Sequence, residues 1–233
     1  MVDSALARPH TTVVLAMSAD GKIADVRRSP ARFGSAADKA HLEKQVAQAD
    51  AVLFGAGTLR AYGTTLRVSH PELLEMRSQQ GKPAQPVQIV CSRSGEFDPN
   101  LRFFAQPVPR WLLTITLGAK AWQERAEFER ILVAEAPEAP EQTLDWEQAF
   151  QQLATLGIRR LTVLGGGEVV GSLMALDLID ELWLTVCPLI LGGAIAPSPV
   201  QGLGFSAESA PRLELLSAEA NGPEVFLHYR LQR

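Results

Sequence analysis

Cysteine is nearly missing from this chain of 233 residues: only Cys91 and Cys187 occur. Both lie in apolar segments, which reads as two buried thiols and excludes a disulfide framework. Long apolar runs are missing too, since none reaches the roughly 18 residues that span a bilayer. The opening stretch, with Asp3 and an early Pro9, lacks the charged start and long apolar centre of a secretory leader. Nor is there a basic surplus: 22 Lys and Arg against 26 Asp and Glu leave a net charge of −4. That balance argues against a nucleic-acid or membrane-surface protein. His10, His41, His70 and His228 show no metal-ligand spacing, so no metal is expected. A Gly-x-Ser-x-Gly elbow and a glycine loop ending in Lys-Ser or Lys-Thr are both absent. A cytoplasmic small-molecule protein is the class that survives.

What the chain does have is a hydrophobic fraction of 46%, enough for a sizeable core. Its apolar, β-branched runs alternate with amphipathic stretches. Strands are expected at Thr11–Met17, Asp50–Gly55, Val87–Ser92, Arg110–Ile115, Arg130–Glu135, in "RLTVLGGG" and in "DELWLTVCPLILGG". A second short extended piece is expected within "SADGKIAD". Helices are expected over Ser35–Ala49 with Ser35 as N-cap, Pro71–Gln80, Gly118–Glu129, Asp145–Gly157 and Glu168–Ala175. The tail alternates around an Asn-Gly-Pro turn and predicts an antiparallel pair. The reading is one α/β domain over residues 1–233, with a tail over 1–10 and a mostly parallel sheet with antiparallel C-terminal strands.

Three junctions carry the chemistry. "LTVLGGGEVVGSLM" places three glycines between a strand and a helix, where bare backbone and unpaired N–H groups suit an anion. It is no Rossmann fingerprint, because Val170 stands where a third glycine is required. "DAVLFGAGTLRA" repeats the plan, with Gly57 and Thr58 at a second helix start. In "QIVCSRSG" a strand ends on Ser92 and Arg93, whose hydroxyl and planar guanidinium suit a phosphate monoester. Each motif alone is as well explained by an ordinary turn. Together they point to a pyrophosphate with an additional phosphate.

These segments, with "AMSADGKIAD" before them and "LIDELWLTVCPLILGG" after, appear in one order from about Thr12 to Leu231. In that order they resemble the reductase domain of the riboflavin-biosynthesis deaminase/reductase, within the dihydrofolate-reductase-like superfamily. The resemblance implies a three-layer α/β fold, a homodimer, and NADPH along the sheet's carboxyl edge. It implies that Met17 and Ser18 lie near the nicotinamide and that Gly57 and Thr58 contact the cofactor. Ser92 and Arg93 would hold the 2′-phosphate, and Gly165, Gly166, Gly167, Glu168 and Val169 the pyrophosphate. Lys22, Tyr62, Leu66, Arg67 and Leu164 fall on the substrate side, and Asp20 is the candidate proton donor. The implied activity is that of a 5-amino-6-(5-phosphoribosylamino)uracil reductase. Three departures bear on substrate: Leu164 replaces a family Glu, Tyr62 and Gly63 stand where the family has an Asp-Asp-Pro segment, and Val46 replaces an Arg. They point to another pyrimidine- or pterin-like substrate, or to a catalytically silent NADP(H)-binding protein.

Overall fold

The structure is a computed structural model, and it describes residues 8–136 and 143–233. The first part of the expected N-terminal tail lies outside the described residues, and His10 already belongs to a strand. In chain order the elements are β1 (His10–Ser18), α1 (Ala36–Gln48), β2 (Ala51–Gly55), α2 (Ala56–Tyr62) and α3 (Pro71–Gln79). Then come β3 (Val87–Cys91), α4 (Arg102–Ala105), β4 (Arg110–Thr114), α5 (Thr116–Lys120), β5 (Arg130–Val133) and α6 (Trp146–Thr155). The chain finishes with β6 (Arg160–Val163), α7 (Gly167–Ala175), β7 (Glu181–Cys187), β8 (Leu213–Asn221) and β9 (Glu224–Leu231).

Two compact units divide these residues: one built on Val46–Leu161, the other on Thr11–Gln45 with Thr162–Arg233. In the first, β2, β3, β4 and β5 pair successively and in parallel. β2 is buried throughout, and β3 and β4 bury their carboxyl halves. Helix α6 shows why the sequence folds locally. Asp145 accepts the Gln148 N–H as N-cap, and Trp146, Ala149, Phe150 and Leu153 recur on one buried face. In the second unit β1 pairs with β7 in parallel, and β7, β9 and β8 run antiparallel. Gly222, at φ +58, supplies the left-handed residue of the β8–β9 turn. The α/β class, the mostly parallel strands and the antiparallel C-terminal strands are as expected.

Two local expectations fail. The helix expected to run to Glu129 stops at Lys120. Trp122 instead turns into the core at 2% exposed, and its indole N–H donates to the Gly95 carbonyl at 2.6 Å. The extended piece within "SADGKIAD" is a turn, because the Ser18 hydroxyl takes the Lys22 N–H at 2.9 Å. Both cysteines are free and buried, and burial pushes each thiol up to about 12. No helix among the described residues is long and apolar enough to cross a membrane.

The first unit contains a buried cation that the sequence did not announce. Arg77 on α3 is 0% exposed. Its guanidinium donates to the carbonyls of Ala47 and Ala49 at 2.8 and 2.7 Å and to that of Pro83 at 2.7 Å. It thereby satisfies three acceptors where the chain enters β2. Leaving buried acceptors unpaired costs about 1–3 kcal/mol each. Arg77→Leu is therefore expected to lower the unfolding free energy by about 3 kcal/mol or more, read by urea denaturation; an unchanged midpoint would contradict this.

Candidate functional site

In the first unit, the register of β2 against β3 sets Gly55 opposite Cys91. The turns that follow, Gly57–Thr58 and Ser92–Arg93, therefore leave adjacent strands at the same carboxyl edge. Gly57 is exposed, and nothing lies within 4 Å of where its Cβ would stand. The protein itself does not demand glycine there, so the open space is available to a ligand. Ser92 is buried, and its hydroxyl oxygen accepts the Gly95 N–H at 3.1 Å while keeping its own proton to donate. The Arg93 side chain is exposed, and its guanidinium has no partner among the described residues. A hollow of about 400 Å³, lined by Gly95–Asp98, Trp122 and Arg125, opens against this turn. An open glycine, a buried hydroxyl and an unpaired guanidinium form a donor set that fits a phosphorylated dinucleotide.

Tyr62 ends α2 and is exposed. Leu66 is half-buried and Arg67 exposed, in the irregular segment before α3. Val46 is 0% exposed. As a core position it removes no group from a solvent-facing substrate site, which corrects the weight given to that departure.

In the second unit, β1 ends on Met17 and Ser18, opposite Val186 and Cys187 of β7. Asp20 follows in the turn. Its carboxylate accepts the Ser18 hydroxyl at 2.6 Å and the N–H groups of Leu191 and Gly192 at 3.0 and 2.7 Å. The Ser18 hydroxyl first, then those two amides, hold Asp20 down at about 2. A carboxylate so held has no proton to give at neutral pH. This geometry makes Asp20 a staple between two loops and does not support it as proton donor. Lys22 is half-buried beside it, and its N–H is the one bonded to Ser18.

The glycine triplet divides by role. Gly165 has φ +96, a left-handed backbone costly for any side chain, and a Cβ there would stand 3.1 Å from the Leu15 side chain on β1. Gly166 caps α7, and Gly165–Gly166 is a cis peptide. Gly167 is accounted for by packing: a Cβ would lie 2.3 Å from the Ser198 carbonyl, and its own carbonyl accepts the Gln201 N–H at 3.0 Å. One turn on, a Cβ at Gly171 would lie 1.7 Å from the Gln201 carbonyl. The Gly167–Gly171 spacing in the sequence carried that signal, and the anion reading masked it. Glu168 is exposed, with its carboxylate 3.4 Å from Arg28, and Leu164 and Val169 are half-buried.

The fold and these turns define an α/β protein built to present strand-end donors to a phosphorylated ligand. Residues 9–227 match the model of the RibD C-terminal domain. The chain belongs to the RibD C-terminal domain family. It is 30% identical over 198 residues to the 2,5-diamino-6-ribosylamino-4(3H)-pyrimidinone 5′-phosphate reductase of Archaeoglobus fulgidus, covering 85% of this chain and 89% of that one. The protein of the same name from Methanothermobacter thermautotrophicus is 27% identical over 227 residues, covering 97% and 99%. Among solved structures, a pyrimidine reductase-like protein from Corynebacterium diphtheriae superposes with a TM-score of 0.80 at 21% identity. That match covers 97% of this chain and 92% of the other, and it shows the shared fold.

Asp20 also yields a pH prediction. Its folded value of about 2 lies below the ordinary 3.8, so its contribution to stability is complete above pH 3.8 and is lost as pH falls toward 2. Asp20→Asn should lower the thermal midpoint at neutral pH and flatten the acid limb in that window. Parallel acid limbs for the two proteins would show that the staple is not formed.

Proposed function

We propose that the chain is an NADPH-dependent reductase acting on a ribosylaminopyrimidine phosphate or on a pyrimidine- or pterin-like relative of it. The observation that carries the proposal is the pairing of the Gly57–Thr58 turn with the Ser92–Arg93 turn at adjacent strand ends. Family membership and the reductase names of its relatives support the reaction class.

When bound, the dihydronicotinamide supplies the hydride; the protein's work is orientation. Arg93 and Ser92 grip the 2′-phosphate, the guanidinium as a charged fork and the hydroxyl as a donor. Thr58 and the open backbone at Gly57 meet the cofactor beside them. Gly165 and Gly166 leave bare backbone for the pyrophosphate before α7, and Met17 and Ser18 border the nicotinamide end. Asp20 holds the turn that carries Lys22, and a solvent water delivers the proton. Lys22, Tyr62, Leu66, Arg67 and Leu164 shape the substrate side. Leu164 and Tyr62 favour an apolar, flat group where a charged pair would hold a sugar phosphate.

A second copy of the chain fits the exposed side of the terminal hairpin. Leu213 and Leu215, on one face of β8, are 40% and 54% exposed, and Val225 on β9 is 37% exposed. Apolar strands of this kind pair with a partner, so a homodimer belongs to the proposal.

A silent NADP(H)-binding protein is the alternative, motivated by Leu164 and Tyr62. NADPH oxidation measured with 2,5-diamino-6-ribosylamino-4(3H)-pyrimidinone 5′-phosphate and a panel of pyrimidines and pterins separates the two: sustained turnover with any supports the reductase, and binding without turnover the alternative. Arg93→Ala should weaken NADPH about 10- to 100-fold and leave NADH unchanged, as expected for loss of a charge-assisted contact. Equal loss for both cofactors would overturn the 2′-phosphate assignment.

A further inference from the structure

The geometry points to Trp122 as the positioning residue that aims Arg93, and so as a determinant of NADPH over NADH preference. This rests on the reading that Arg93 meets the 2′-phosphate. The Arg93 guanidinium has no protein partner among the described residues, so its aim is set by its backbone alone. That backbone is clamped at two carbonyls. At Gly95, the Trp122 indole N–H donates to the carbonyl at 2.6 Å. At Arg93 itself, the carbonyl accepts the Thr114 hydroxyl at 3.4 Å and lies against the backbone of Gly118 on α5. A Cβ at Gly118 would stand 2.6 Å from the Arg93 carbonyl, and one at Gly95 would stand 2.5 Å from the Gly118 carbonyl. Gly95 closes the turn at φ +66, donating its N–H to the Ser92 hydroxyl. Ser92 and Arg93 are thus presented by a frame whose outer post is an indole.

Trp122 serves through its N–H and not as a stacking surface for a base. Its ring is 2% exposed, stacks on Phe104 at 5.4 Å, meets Phe128 edge to face at 5.0 Å, and carries the Arg125 guanidinium 4.4 Å from its centre. With the ring locked this way, the indole N–H has one fixed direction, toward Gly95. A misplacement of about 1 Å in a binding group is enough to lose a large part of its contribution.

Trp122→Phe keeps an aromatic ring in the cluster and removes the donor. The experiment measures dissociation constants of NADPH and NADH by calorimetry for the wild type, Trp122→Phe, Arg93→Ala and the double variant. Trp122→Phe should weaken NADPH about three- to tenfold and leave NADH unchanged. In the double variant it should add nothing to the loss caused by Arg93→Ala, because it acts through that residue. Gly118→Ala pushes the Arg93 carbonyl from the other side; it should also lower the NADPH-to-NADH preference, and it serves alone if Trp122→Phe does not fold. If Arg93→Ala discriminates between the cofactors but Trp122→Phe and Gly118→Ala weaken both equally or neither, the positioning role is overturned and the cofactor reading stands. If Arg93→Ala itself fails to discriminate, the cofactor reading falls and takes this inference with it.

Discussion

Gly55 stands opposite Cys91 in the parallel pair of β2 and β3, and the proposed cofactor site depends on that register. A parallel ladder makes both strands finish at the same edge, so two turns of different sequence become neighbours. One offers open backbone at Gly57; the other offers the Ser92 hydroxyl and the Arg93 guanidinium. A shift of one residue would turn every buried side chain of β2 and β3 to the opposite face. The burial of Ala51–Gly55 and of Gln88–Cys91 therefore fixes the core and the ligand edge together.

Much of this was legible because the signals are local. Asp145 announced α6 and caps it, and the Ser35 hydroxyl accepts the N–H groups of Ala37 and Asp38 at the start of α1. The Asn-Gly-Pro turn announced the β8–β9 hairpin, and apolar β-branched runs announced the strands. The ordered motifs pointed to the family before any geometry was available.

What stayed hidden depends on partners distant in sequence. Asp20 looked like a free acid in a turn, yet its partners are the amides of Leu191 and Gly192. Gly167 looked like a phosphate glycine, yet Ser198 and Gln201 press on it. Helical composition carried past Lys120 because nothing in "GAKAWQERAEFE" reveals that Trp122 will be drawn inward to Gly95. Arg77 was read as one polar helix residue among others, and tertiary acceptors made it a buried clasp. In each case tertiary hydrogen bonding or packing overrode a plausible local reading.

The central claim is that these strand ends hold a nicotinamide dinucleotide by its additional phosphate. Titration of the wild-type protein with NADPH and, separately, with NADH, followed by nicotinamide fluorescence, tests it most directly. The account predicts saturable binding at micromolar concentration with a clear preference for NADPH. Absence of binding by either dinucleotide, or equal binding of both, would contradict it.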